Sequence, residues 1–284
     1  MRKIKNLHQA ESAPIADLVT YRALPTRSVN HIDPFLFLNH HGHQVYPPNN
    51  RGLPFGPHPH RGFETVTFIL QGDLSHKDSS GAESVIRAGG VQWMTAGKGL
   101  IHAEVSSREF MQKGGDLEIL QLWVNLPAKY KMVEPAYIGL QKEDIPVIEL
   151  DEGRVRIEVI SGNWGGTKGA FSPITDIQLA VVRIKAGGIY EKAISDERNI
   201  FFYVVKGNLR VNGQSATTHQ LLEFNNEEPE LMIEAFEDSI LLLGHALPFN
   251  EPIIAQGPFV MNTEEEIQQA YVDYQRGLFG SWTH

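Results

Sequence analysis

Short runs of β-branched and apolar residues, each closed by glycine or a polar turn, constrain this chain most. Residues 65–70 end at Gln71-Gly72-Asp73. Asp78-Ser79-Ser80-Gly81 reads as a hairpin turn, followed by a strand over 82–87 and by Gly89-Gly90. Further strands are expected over 91–95, stopped by Gly97-Lys98-Gly99, and over 117–126, ended by Pro127. Many short strands at this spacing predict an all-β barrel or sandwich. The second half repeats the pattern: residues 200–205 with Lys206-Gly207-Asn208-Leu209 match 65–70 with Gln71-Gly72-Asp73-Leu74, and an Asn212-Gly213 turn follows. The halves read as diverged copies of one unit. Their link is expected within 129–145, which divides the chain into residues 1–134 and 135–284. One helix stands out near the C-terminus. Thr263 and Glu266 form a capping box, Ile267, Ala270, Tyr271 and Tyr274 share a face, and Gly277 is a stop.

Composition then narrows the chemistry. The 284 residues are 42% hydrophobic and 21% charged, the balance of a soluble globular protein. There is no cysteine, which excludes disulfides, zinc-thiolate sites, iron–sulfur clusters and a thiol nucleophile. Any metal must therefore be held by histidine, carboxylate or carbonyl. The basic start lacks a following apolar stretch, so no signal peptide is read, and the apolar runs are too short to span a bilayer. A cytoplasmic protein with no membrane association is expected. Residues 1–134 hold 14 Lys/Arg against 12 Asp/Glu, whereas 135–284 hold 11 against 22. No concentrated basic face is visible, so direct nucleic-acid binding is not expected.

Of the 12 histidines, eight lie between His31 and His102. The strongest local feature is Pro57-His58-Pro59-His60-Arg61-Gly62-Phe63-Glu64. In extended chain, alternate side chains share a side, so His58 and His60 are spaced to chelate, and the prolines hold the backbone extended. The same period puts His102 and Glu104 on one face after Gly97-Lys98-Gly99. Brought together from two strands, the pairs offer three imidazoles and one carboxylate. Such a mixed set suits Fe(II), Mn, Ni, Cu(II) or Co, and leaves two octahedral positions open. His40-His41-X-His43 lies in an Asn/Gly/Pro-rich stretch that reads as a solvated loop, with a loop at the barrel mouth that lines the pocket or shuttles a proton as the alternative. Lys98 is placed to attract an anion, although surface lysines are ordinarily unspecific.

The spacing Gly52-X5-His58-X-His60-X3-Glu64-X7-Gly72 resembles the first cupin motif with one extra residue before the last glycine, and Gly99-Leu100-Ile101-His102 resembles the core of the second. Asp33-Pro34-Phe35-Leu36-Phe37-Leu38, the string from Pro57 to Thr67, Ala96 to Glu104, and Trp123-Val124-Asn125-Leu126-Pro127 resemble the pirin family over nearly the whole chain. The resemblance implies a bicupin: two tandem, jelly-roll-like β-barrels with the metal in the N-terminal one. It implies His58, His60, His102 and Glu104 as ligands. Glu64, where other cupins place their ligand carboxylate, would then orient a ligand or Arg61. If Gly207 matches Gly72, His58 and His60 fall on Ala193 and Ser195, so the C-terminal barrel is expected to be metal-free, with His219 and His245 standing alone.

The activity implied is quercetin 2,3-dioxygenation: a flavonol and dioxygen at a centre holding Fe(II), with Mn, Ni, Co, Cu or Zn as alternatives, and Glu104 as general base. Val66, Phe68, Trp93 and Met94 are wall candidates by residue type. The family also implies an alternative, a regulatory protein that modulates transcription or a partner enzyme through its bound iron. A third reading is a cupin isomerase or hydrolase. The short link between the halves implies a monomer.

Overall fold

The computed structural model describes residues 1–282 and is built almost wholly from strands. It divides into two compact units, each drawn from separate stretches of chain. One comprises residues 12–20, 37–143 and 249–282; the other comprises 1–11, 21–36 and 144–248.

The first unit has two antiparallel sheets. The larger runs, edge inward, Ala136–Leu140, Val91–Thr95, Phe63–Gln71, Gly115–Asn125 and then Phe35–Tyr46. The smaller has the order Phe55–His60, Leu100–Val105, Asp73–Asp78, Glu83–Arg87. The second unit follows the same plan. Its larger sheet contains the run Gln220–Phe224, Asn199–Lys206, Ser239–Ala246, Ile177–Ile184, and its smaller sheet has the order Ile189–Ala193, Glu230–Ala235, Asn208–Val211, Gln214–Thr217. Strand by strand this is the connectivity of the first unit, so the internal repeat is real and the chain is a bicupin. The strands expected over 65–70 and 200–205 occupy equivalent places as Phe63–Gln71 and Asn199–Lys206.

The unit boundary differs from a cut at residue 134. Ala136–Leu140 pairs in register with Val91–Thr95 and closes an edge of the first unit's sheet. Ile4–Gln9 pairs instead with Gln220–Phe224 in the second unit. An open sheet edge needs a hydrogen-bonding neighbour, but alternation within a strand does not say which edge it fills.

The predicted capping box is present. Thr263 Oγ1 accepts from the Glu266 amide at 3.2 Å, and Glu266 Oε2 accepts from the Thr263 amide at 3.1 Å. The helix Glu264–Gln275 belongs to the first unit, where Ile267 and Ala270 are buried with Phe259, Met261 and Phe279. Tyr271 is half-buried and Tyr274 is exposed, so the docking face is narrower than the apolar spacing implied. Among the described residues no helix is long and apolar enough to cross a membrane.

The interiors of the two units differ. Ladder register in the first unit places Gln92 and Gln121 on either side of Thr67. The matching positions in the second unit are Leu222 and Leu243 on either side of Phe202, part of a core made wholly of apolar side chains and tyrosine. The polar positions around Thr67 in the first barrel are thus apolar in the second, where buried His245 lies beside the core residue Trp164.

Candidate metal centre

Strand register brings three of the four expected donors, His58, His60 and His102, into one group, while Glu104 groups with His102 and His76. In the antiparallel pair Phe55–His60 and Leu100–Val105, Leu100 faces His60 and His102 faces His58. Alternation then puts His58, His60 and His102 on one side of the smaller sheet. Ring centroids are 4.3 Å apart for His58–His102, 4.8 Å for His58–His60 and 4.9 Å for His60–His102. Two glycines let the C-terminal segment pack tightly beside these strands. Gly62 has φ +88°, and a Cβ there would lie 2.0 Å from the Val260 carbonyl oxygen. Gly99, at φ +127°, lies against the Phe279 ring.

Tautomers follow from partners. His58 Nδ1 donates to Gly56 O at 2.7 Å and His60 Nδ1 to Pro258 O at 3.2 Å. A carbonyl only accepts, so each Nε2 keeps its lone pair, as a metal ligand must. Burial, then the neighbouring His58, pushes His60 down to about 3, against the opposing pull of the Pro258 carbonyl. Burial and the surrounding imidazoles hold His102 well below the usual histidine range. Both rings are thus neutral and able to ligate.

His102 decides whether a metal fits. It is fully buried, and neither ring nitrogen has a hydrogen-bond partner. A buried polar atom left unpaired costs about 1–3 kcal/mol, and a cation shared with His58 and His60 would satisfy one. The donor atoms of these three histidines lie within 4.8 Å of one another. The same holds for His76, His102 and Glu104, so His102 belongs to both groups. Glu104 is buried and firmly held. Its Oε1 accepts from Thr67 Oγ1 at 3.2 Å and from Gln92 Nε2, and its Oε2 accepts from Gln121 Nε2 at 2.5 Å.

His76 is an addition that the sequence reading missed. It is fully buried, its Nε2 lies 3.0 Å from Asp78 Oδ2, and its ring stacks on Tyr137 at 3.9 Å. The signal was available: His76-X-Asp78 has the same i, i+2 spacing as the pairs singled out, within the strand Asp73–Asp78.

Other expectations are corrected. Residues 40, 41 and 43 are not in a loop but in the strand Phe35–Tyr46. His40 pairs with Glu118 at 3.0 Å, His41 Nδ1 with Thr20 Oγ1 at 2.9 Å, and His43 with Asp116 at 2.7 Å. Ladder pairing explains this: a strand interior tolerates polar residues when neighbouring strands supply partners. Glu64 stands outside both donor groups and does not hold Arg61. It accepts from Thr95 Oγ1 at 2.7 Å, and burial pushes it up to about 7 against the hydrogen bonds from Thr95 and Trp93. Arg61 instead donates from Nε to Lys98 O at 2.6 Å and from Nη1 to Asp273 at 2.8 Å. Lys98 pairs with Glu134 at 2.6 Å. Of the wall candidates, Met94 shares a face with Gln92; Val66, Phe68 and Trp93 lie on the opposite face, buried beside Glu64. The aromatic wall at the histidines is Phe63, Trp123 and Phe37, with Trp123 5.2 Å from His60, 4.3 Å from Phe63 and 4.5 Å from Phe37. In the second unit, Arg198 Nε donates to His245 Nδ1 at 2.7 Å, and His219 stacks on Tyr21 at 3.9 Å.

Comparison with known proteins decides the family. The pirin family model matches residues 17–124, and the model of the pirin C-terminal cupin domain matches 179–280. The chain belongs to the pirin family. A Pseudomonas aeruginosa relative, provisionally named a quercetin 2,3-dioxygenase, is 40% identical over 94% of this chain and 92% of its own length. A pirin-like protein of Caulobacter vibrioides is 39% identical over 91% of each. The crystal structure of a quercetin 2,3-dioxygenase from Acinetobacter baumannii superposes with a TM-score of 0.93, at 36% identity and 99% coverage of both chains. As a pirin with this buried histidine–carboxylate cluster, the protein offers a site suited to a divalent metal.

Proposed function

We propose that this pirin is a metal-dependent flavonol 2,3-dioxygenase in which His58, His60, His102 and Glu104 hold one divalent transition metal, Fe(II) foremost. The observation that carries the reading is the buried imidazole cluster around His102, with a firmly held carboxylate beside it. It is supported by the names of relatives at 36% and 40% identity. A bound ion supplies Lewis acidity toward the flavonol 3-oxygen and redox access to dioxygen.

The chain's own residues do the rest. On loosening from the ion, Glu104 takes the 3-hydroxyl proton as general base. Gln92, Gln121 and Thr67 hold its carboxylate in place. Phe37, Phe63 and Trp123 form an apolar wall that excludes water and takes the flat flavonol body. Trp123 Nε1 is buried without a hydrogen-bond partner, which makes it a donor for a flavonol oxygen. Both atoms of dioxygen enter the cleaved product and carbon monoxide leaves, so no external reductant is required.

Iron-loaded protein is expected to consume quercetin under oxygen, not under argon, with release of carbon monoxide. Glu104→Gln is expected to lower kcat by about a hundredfold, the scale of general-base catalysis. Intact quercetin with the iron-loaded parent protein would overturn the reading. The regulatory role, with the ion tuning a partner-binding surface, would then take its place.

A further inference from the structure

In the acidic half of the chain five cationic side chains line one groove, none of them a residue of the metal centre. A groove of about 360 Å³ in the second unit is lined by Arg154, Arg156, Arg183, Lys185 and Lys206. These are five of the 11 Lys/Arg that residues 135–284 carry against 22 Asp/Glu. Strand register gathers them. Glu149 faces Arg156, Arg156 faces Arg183, Arg183 faces Ile240, and Ile240 faces Lys206, which makes one row across five strands.

The charges in this row are incompletely neutralised. Arg156 and Arg183 lie directly opposite each other, where like charges repel. One carboxylate serves both: Glu158 Oε1 is 3.5 Å from Arg156 Nε and 3.0 Å from Arg183 Nε. Arg156 Nη1 is 3.6 Å from Glu149, whose side chain is largely exposed. Arg154 is tied to Asp151 at 2.6 Å. Asp238, the other acid in the groove, accepts from the Ala186 amide at 3.0 Å. Among the described residues, the terminal guanidinium nitrogens of Arg183 and the ammonium groups of Lys185 and Lys206 have no ion-pair or hydrogen-bond partner. Half-buried Ile240 supplies apolar surface beside them.

We propose that this groove binds a small organic phosphate. The phosphate is gripped by the free fork of Arg183 with Lys185 and Lys206, and the organic body lies on Ile240. A planar guanidinium takes two phosphate oxygens at once, and the lysines add point charges. Five cations gathered in one concavity concentrate positive charge where a compact anion can bind. The volume lies within the range of small-molecule sites, about 300–1,000 Å³. The inference is independent of the dioxygenase reading.

Calorimetric titration of the metal-loaded protein with ADP and with pyrophosphate tests it, with citrate as carboxylate control. One saturable site is expected, with ADP tighter than citrate. Arg183→Gln and Lys206→Gln should each weaken ADP binding about tenfold, the loss of one charge-assisted contact, and both variants should keep the parental metal content and circular dichroism. No saturable binding of ADP or pyrophosphate, or unchanged affinity in both variants, would overturn the proposal. So would binding that disappears when the metal is removed, since the phosphate would then sit on the ion.

Discussion

Replacing His102 by alanine is expected to abolish both metal retention and flavonol turnover. His102 is the residue common to the two donor groups, so its loss breaks both at once. Affinity should fall by more than about a hundredfold, the upper end of what losing an outer-sphere partner of a ligand costs. Stability gives a second readout. An ion that binds only the folded state, present at about a hundred times its Kd, adds roughly 2.7 kcal/mol. For a chain of this size that is a rise in Tm of several degrees. Parent protein should show the rise on adding Fe(II) or Ni(II), and the His102→Ala protein should not. Removing a buried ring whose two nitrogens lack partners need not unfold the metal-free protein, so loss of metal and loss of fold are separable. One ion per chain retained by the variant would contradict the assigned centre.

Glu64→Gln should remove a pH dependence of stability. Glu64 is fully buried, and its carboxyl is pushed up to about 7 from the usual carboxylate range. At pH 4 and below it is protonated in both folded and unfolded chains. As pH rises toward 7, the unfolded chain releases the proton while the folded chain keeps it. Folding stability therefore drops by about 1.4 kcal/mol per pH unit over this window, for a total of about 3 kcal/mol. Glutamine has no proton to lose, and its carbonyl can still accept from Thr95. The variant should gain about 3 kcal/mol on the parent between pH 4 and pH 8, measured by urea unfolding at each pH. A difference that does not change with pH would show an ordinary carboxyl at this position. Metal content should be unchanged, because Glu64 lies outside both donor groups.

Much of the centre was legible because its spacing is local. His58-X-His60 and His102-X-Glu104 each put two donors on one face through strand alternation alone, and the smaller sheet then aligned the pairs. His76-X-Asp78 carried the same local signal, but what ties His76 to the centre lies far away in sequence: Tyr137 stacks on it, and Glu104 faces it across a ladder. The polar cradle of Thr67, Gln92 and Gln121 was equally hidden, since three strands must pair before these side chains converge on Glu104. The segment with His40, His41 and His43 misled for the converse reason. Its local composition resembles a loop, and the backbone ladder with Gly115–Asn125 makes it a strand, with Glu118, Thr20 and Asp116 as side-chain partners.

By itself, then, the sequence determined the all-β repeat, the capped C-terminal helix, a metal chemistry restricted to histidine and carboxylate, and four donor candidates. These depend on periodicity, caps and residue type, which act over a few residues. Tertiary structure alone decided which sheet each edge strand completes, which face of Phe63–Gln71 looks toward Glu104, and that His76 joins the cluster. It also decided that five cations from an acidic half line one groove. These depend on inter-strand register, which sets neighbours between residues far apart in the chain and leaves no trace in local spacing.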